Sequence, residues 1–415
     1  MSLITEKDTF VEYFYNISEF YIIIDSETIK LPTERLTDFK IEHYFDEAVF
    51  PIFKVTMTLE PSRYYKIIKN KDKVKFKLRL QSWYRKKGTE EDSLVRDVIN
   101  DTFSIFINDD NNDYQKSLKK SAGTDKDENE LDSLKNDVEF FLFKTSLVTG
   151  LRSNIQAVLQ DVDLTTAIAY LLSKAGANKV LLSPLDNKST YETLVLPPQN
   201  IEKQLKYLNN NYGFHKNGSI IYFGLFNSYI LNCKEGCTAW AKNEWKETIL
   251  YVLDKTSSDS YLEGAILKQG EKRFYYNMKA EGVDTTNNSV TTNATTGSDA
   301  IVVDMASNSS SSVKSSSKII GKSTEAVLFN NTSNKYMGTT FAAQQKANST
   351  VVTLLLSNLN LEAFKPNKSI SMIFENATLN KKYKGLYRVS SAIYTFKNSG
   401  DNYSVTAIIT LKKVK

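Results

Sequence analysis

The chain has 415 residues, of which 41% are apolar, and 53 basic side chains stand against 48 acidic ones. That length exceeds what one hydrophobic core usually fills, so two or three domains are expected. The charges are well mixed, and a net +5 makes no case by itself for a nucleic-acid or membrane partner.

Residues Met1–Asp8 are polar and acidic where a secretory leader needs a basic start and an apolar run, so folding in a cytoplasm is expected. No stretch approaches the ~18 apolar residues of a membrane span. Tyr21–Ile24, Phe53–Leu59, Val74–Leu80, Thr102–Ile107 and Val138–Phe143 read as strands. Phe53, Val55, Met57 and Leu59 share one face of their strand. Val74, Phe76, Leu78 and Leu80 share one face of theirs, with Lys75, Lys77 and Arg79 opposite. Such alternation means one buried and one wet face, as in an antiparallel sheet or small barrel. The stretch 108–136, rich in Asp, Asn, Lys and Ser, cannot bury much surface. Residues 1–148 are therefore expected to form a first antiparallel β-barrel carrying a polar loop at 108–136.

From Asp163 the period changes. Leu164, Ala167, Ile168, Leu171 and Leu172 form a helical stripe, with Asp163 as N-cap and Gly176 as stop. A second helix follows Pro197-Pro198 and carries Ile201, Leu205, Leu208 and Tyr212. Asn217-Gly218 predicts a hairpin with strands on both sides. Residues 149–235 are expected to be an α/β middle domain.

Strands return at Lys246–Leu253 and Arg273–Met278. Asp284–Ser317 is Thr, Asn, Ser and Gly around an Ala300-Ile-Val-Val island and reads as low-complexity linker. A flexible insertion is assigned to 280–325, and strands resume near Ala326. A helix is expected at Phe341–Lys346, then the apolar segment Val351–Leu356, a turn at Phe364–Lys368 and the strand Ile370–Phe374. A final hairpin pairs Tyr387–Phe396 with Tyr403–Leu411 around Gly400. Residues 236–279 and 326–415 are expected to make a second, discontinuous barrel. The fold class expected is α+β, mainly β, with two small antiparallel barrels and an α/β middle domain. The 23 Tyr and 22 Phe residues suit barrel cores and also the centres of large protein interfaces.

Signals for chemistry are weak. Cys233 and Cys237 stand four apart, and His43 and His215 are distant in sequence, so a four-ligand zinc set is not expected. Pairing of the two cysteines stays open. Gly321-Lys322-Ser323 lacks the phosphate-loop glycine, since position 316 is Ser316. His215 is expected on the strand before Asn217, exposed or half-buried, with no nucleophile motif beside it. Glu139, Asp161, Asp163, Glu192 and Glu202 are scattered carboxylates without a glycosidase spacing. Lys73, Lys75, Lys77 and Arg79 read as the solvated outer face of a sheet. No catalytic, cofactor-binding or metal residue is expected.

The order of parts at the C-terminus resembles the baseplate hub protein of contractile-tailed phages. The matching residues are Phe341–Lys346, Val351–Leu359, Phe364-Lys365-Pro366-Asn367, Ile370–Phe374, Tyr387–Tyr394 and Tyr403–Ile409. That family usually has Gly after the turn proline; Asn367 is the next-best residue for that backbone. The helix, loop, helix and hairpin of the middle region occur in the same family. The resemblance implies a structural virion protein without cofactor or enzymatic activity, made in the host cytoplasm. It implies a homotrimer whose six barrels imitate sixfold order, joining the tail tube protein to the central spike protein. Baseplate wedge or other tail proteins would be further partners, and DNA would only pass through the channel. Tail-tip proteins of non-contractile phages and spike carriers of injection systems share this architecture. A tail-associated cell-wall hydrolase and a host-surface-binding tail-tip protein are the alternatives.

Overall fold

The computed structural model describes residues 9–25, 27–107, 136–177, 179–224, 227–233, 247–254, 263–268, 273–284, 300–304, 309–313, 326–330, 334, 336–337, 339–340, 350–400 and 402–414. The first strands in chain order are β1 (Thr9–Ile24), β2 (Glu27–Lys30), β3 (Leu36–Tyr44) and β4 (Ile52–Leu59). Helix α1 (Pro61–Lys69) follows, then β5 (Val74–Lys86), β6 (Asp92–Ile107) and β7 (Asn136–Lys144). Pro61 opens α1, where a missing N–H costs nothing, and Tyr64 and Ile67 turn inward from it.

The middle region contains α2 (Thr145–Arg152), β8 (Ile155–Asp163), α3 (Leu164–Lys174), β9 (Val180–Leu182), β10 (Thr190–Gln199), α4 (Ile201–Tyr212), β11 (Ser219–Phe223) and β12 (Ser228–Asn232). The stripe expected of α3 is buried at all five positions, and the Asp163 side chain accepts from the Thr166 N–H at 2.8 Å. Asn200 caps α4 in the same way, accepting from the Lys203 N–H. These helices share a second hydrophobic cluster with the β8–β10 ribbon, and with Val49 and Phe50 from the turn after β3. Strand β12 pairs antiparallel with β11 and parallel with β9.

The remaining strands are β13 (Glu247–Leu253), β14 (Gly264–Leu267), β15 (Arg273–Lys279), β16 (Val283–Asp284), β17 (Ala300–Asp304), β18 (Ser309–Val313), β19 (Ala326–Asn330), β20 (Val351–Ser357), β21 (Ser369–Phe374), β22 (Gly385–Asn398) and β23 (Tyr403–Lys413), with α5 (Ala377–Tyr383) before β22. The main sheet runs β14-β15-β13-β21-β22-β3-β4-β7-β6-β5-β1, and β1 pairs back onto β14. The protein is mainly β, and these eleven strands close into a barrel. Strand β23 pairs with β22 along its length, with β20 on its other edge, and with β1 at Tyr15–Tyr403. Strands from the first and last portions of the chain thus share one sheet. One continuous core fills it, with Phe20, Phe39, Phe76, Phe103 and Phe140 all buried.

The structure departs from the sequence reading at several places. The barrel strands are not all antiparallel: β13 is parallel to both β15 and β21, because crossovers rather than tight hairpins connect these pairs. Asn217-Gly218 makes a turn, with Gly218 at φ +86° and its N–H donating to the His215 carbonyl. No strand precedes it, since α4 ends only at Tyr212, and the hairpin is β11–β12 instead. The stretch Asp284–Ser317 contains β17 and β18, and β19 joins them in a separate three-stranded sheet. The β-branched run after Ala300 has the composition of a strand. Residues 108–135, Gly321-Lys322-Ser323 and the expected helix Phe341–Lys346 lie outside the described residues.

Candidate functional site

The residues screened for chemistry are dispersed. His215 is buried in the turn before β11, and its Nδ1 lies 2.8 Å from Ser219 Oγ, so it is neither on a strand nor exposed. His43 lies inward on β3, ring to ring with Phe45 at 4.0 Å. Burial, helped by the Lys365 charge, pushes its imidazole down to about 3. Cys233 is partly buried against the core, and burial pushes its thiol up to about 11; Cys237 lies outside the described residues. Asp163 caps α3, Glu202 pairs with Lys206 at 2.8 Å, and Glu139, Asp161 and Glu192 sit on β7, β8 and β10. A cavity of about 330 Å³ beside the β5–β6 turn is lined by none of these five. Among the described residues no group of three metal-ligating side chains assembles.

What the structure does assemble is a buried polar seam around the turn between β20 and β21. Residues Leu359–Phe364 and Pro366–Lys368 are buried, and a buried loop must have its backbone groups satisfied by the surrounding elements. The Tyr15 hydroxyl donates to the Leu359 carbonyl (2.8 Å) and accepts from the Leu361 N–H (3.1 Å). Thr248 on β13 donates to the Ala363 carbonyl at 2.6 Å, and Tyr394 on β22 to that of Phe364 at 3.1 Å. The Tyr222 hydroxyl of β11 reaches Asn367 Oδ1 at 3.2 Å. Asn367 is not at positive φ, whereas Asn358 is, at +51°; Asn367 is used for its side-chain acceptor rather than for backbone freedom.

One ion cluster pins the seam, and a second ties the turn after β3 to β22 and β23. Glu362, 8% exposed, meets Arg96 of β6 and Lys365, each at 2.5 Å. Burial alone would raise its carboxyl, but the Lys365 and Arg96 charges bring it down to about 2. Asp46 meets Arg388 of β22 at 2.6 Å and Lys412 of β23 at 2.8 Å, and accepts from Ser390 at 2.6 Å. Burial opposes ionisation there too, yet the Arg388 and Lys412 charges hold Asp46 below the usual carboxylate range. Sequence reading missed both clusters, because each joins groups from distant parts of the chain, Arg96 with Glu362 and Asp46 with Arg388.

The outer faces differ in character. On β5 the basic row pairs across strands, Lys77 with Glu19 and Arg79 with Glu19 and Asp97, and just before the strand Lys73 meets Asp25. On β20, β23 and β22 the outward row is Leu355–Ile408–Ile393, in direct register, with Leu355 56% and Ile408 47% exposed. On the β8–β10 ribbon Val158 faces Val195, and these are 62% and 48% exposed.

This overall fold is shared by solved tail proteins. It is similar to the tail protein from Neisseria meningitidis MC58, with TM-score 0.52, 9% identity and 97% of each chain covered. It is equally similar to the 43 kDa tail protein of prophage MuSo2 from Shewanella oneidensis, with TM-score 0.52 and 11% identity over 95% of this chain and 97% of that one. At such identities the likeness establishes the fold. Residues 3–414 match the family of the Bacteriophage PBS1 gene 109 protein, and the chain belongs to that family. No curated protein matches the sequence.

Proposed function

We propose that this chain is a structural hub of a phage tail baseplate, assembling as a homotrimer between a sixfold tail tube and a threefold central spike. The observation that carries the reading is the partner switching of two strands, β22 and β1. Along one edge β22 pairs first with β21 and then with β3, and along one edge β1 pairs first with β14 and later meets β23. The closed circuit is therefore read as two barrels fused through β1, β22 and β23. One holds β3–β7; the other holds β13–β15 and β21, flanked by β16 and β20. Three such chains offer six barrels, which is how threefold symmetry can imitate sixfold. Because both interiors are packed with aromatic side chains, a passage for DNA would run between subunits rather than through one.

Nothing in this role makes or breaks a bond; the seam's work is to hold the two barrels at one fixed angle. Light scattering on the purified chain, alone and with a co-expressed spike protein, tests the reading. A mass of three chains supports it. A chain that stays monomeric at high concentration with the spike partner present overturns it.

A further inference from the structure

We propose that the outer face of β20, β23 and β22 is one half of a head-to-tail contact whose other half is the outer face of the β8–β10 ribbon on a second copy of this chain. The inference rests on the trimer reading above and names its contact surfaces.

The first face is unusual in this chain for its lack of charge. A quarter of the residues are charged (24%), yet the outward rows on either side of Leu355–Ile408–Ile393 are serine and threonine: Thr353, Thr410 and Ser391 on one side, and Ser357, Thr406 and Thr395 on the other. Charge reappears at the border, where Ile393 stands against Glu42 of β3 and Glu42 pairs with Lys54 at 2.8 Å. An uncharged centre with an apolar row and an ionic rim is the anatomy of a protein interface. It contrasts with the β5 side of the barrel, where cross-strand ion pairs stud the surface.

The ribbon carries the same signature. Its inner face, Leu194 and Leu196, is buried with α3 and α4. Its outer face presents the Val158–Val195 pair next to Gln160 opposite Thr193, and charge returns only beyond them, at the exposed Asp161 and Glu192.

The occupant follows from symmetry and chemistry together. If each face packed on its own copy, every contact would be two-fold, and two-fold contacts alone do not build a ring of three. A contact joining two different faces of the same chain is heterologous, and only that kind closes into a ring of three. The chain bears two such faces on separate parts of the fold, matched in having an aliphatic centre and charge only at the border.

The test compares the wild-type chain with Ile408→Lys and Val195→Lys, by light scattering and sedimentation over a wide concentration range. Both positions are solvent-exposed, and circular dichroism checks that each variant keeps its fold. Each variant alone is expected to need at least about tenfold more protein to associate, as loss of an interface centre does. Mixing the two is the decisive arm. Ile408→Lys retains an intact ribbon and Val195→Lys an intact barrel face, so the mixture is expected to form a one-to-one dimer that grows no further. Variants that trimerise like the wild type would overturn the assignment and leave the hub reading standing, as would a mixture that stays monomeric while the wild type trimerises. A wild-type chain that is monomeric throughout would overturn both.

Discussion

Replacing Glu362 with Gln removes a negative charge that Arg96 and Lys365 share inside the seam. The size of the effect can be worked from its ionisation. A carboxyl held at about 2 in the folded protein instead of its ordinary 4.5 stabilises the fold by about 3 kcal/mol at neutral pH, at roughly 1.4 kcal/mol per pH unit. Because the folded state depresses this group, the stabilisation is complete above pH ~4.5 and is lost as pH falls toward ~2, with about 2 kcal/mol already gone at pH ~3. Denaturant unfolding of wild type and Glu362→Gln, each at neutral pH and near pH 3, separates this from general acid destabilisation. The variant is expected to be weaker by about 2–4 kcal/mol at neutral pH and to show a shallower decline with acid. Equal stability at neutral pH together with an equal acid slope would refute the claim that this ion cluster holds the seam.

Other consequences are equally direct. Phe76, fully buried and stacked on Phe20 at 5.6 Å, leaves a cavity when cut to Ala; unfolding should cost about 3–5 kcal/mol less, read from the denaturation midpoint. His43 is held neutral by burial, while the unfolded chain takes up a proton below pH ~6.5. Stability is therefore expected to fall as pH drops from ~6.5 toward ~4.5, and His43→Phe should flatten that segment of a pH–stability profile. Asp163→Ala removes the α3 cap and should cost about 1 kcal/mol in the same assay. Gly213 sits at φ +71° with the Asn334 side chain closer than a Cβ could tolerate, so Gly213→Ala should lower the melting temperature, whereas Gly88→Ala, with open space around it, should lower it less.

Sequence legibility followed the regularity of the pleat. Strand β5 alternates without interruption through Leu80, and its inward residues were readable one by one. Strand β1 was seen only at Tyr21–Ile24, because a bulge between Ile17 and Glu19 resets the alternation: Val11, Tyr13, Tyr15 and Ile17 point inward before it, and Phe20, Ile22 and Ile24 after it. Similarly, the bulge between Leu36 and Asp38 hid β3. Two prolines obscured the end of β10, since Pro demotes a strand reading. The helix α3 was legible from its cap to its stop because every signal there is local. The ion clusters were not, because Asp46 and Arg388, or Arg96 and Glu362, meet only through tertiary folding. The turn Phe364–Lys368 was located correctly, but its burial, and with it the job of Asn367, depends on β1, β11, β13 and β22 arriving around it.

Strand β1 lies near one terminus, and β22 and β23 lie at the other, yet each closes against the same circuit. During synthesis, then, the hydrogen-bonding edge of β3 must wait, exposed, for some three hundred and fifty further residues before its β22 partner emerges, and part of the edge of β1 waits as long for β23. The closed sheet cannot be completed without these last strands. A ribosome that stops early releases a product with open strand edges, fit for a protease rather than for a particle, so fidelity of length is checked by folding itself.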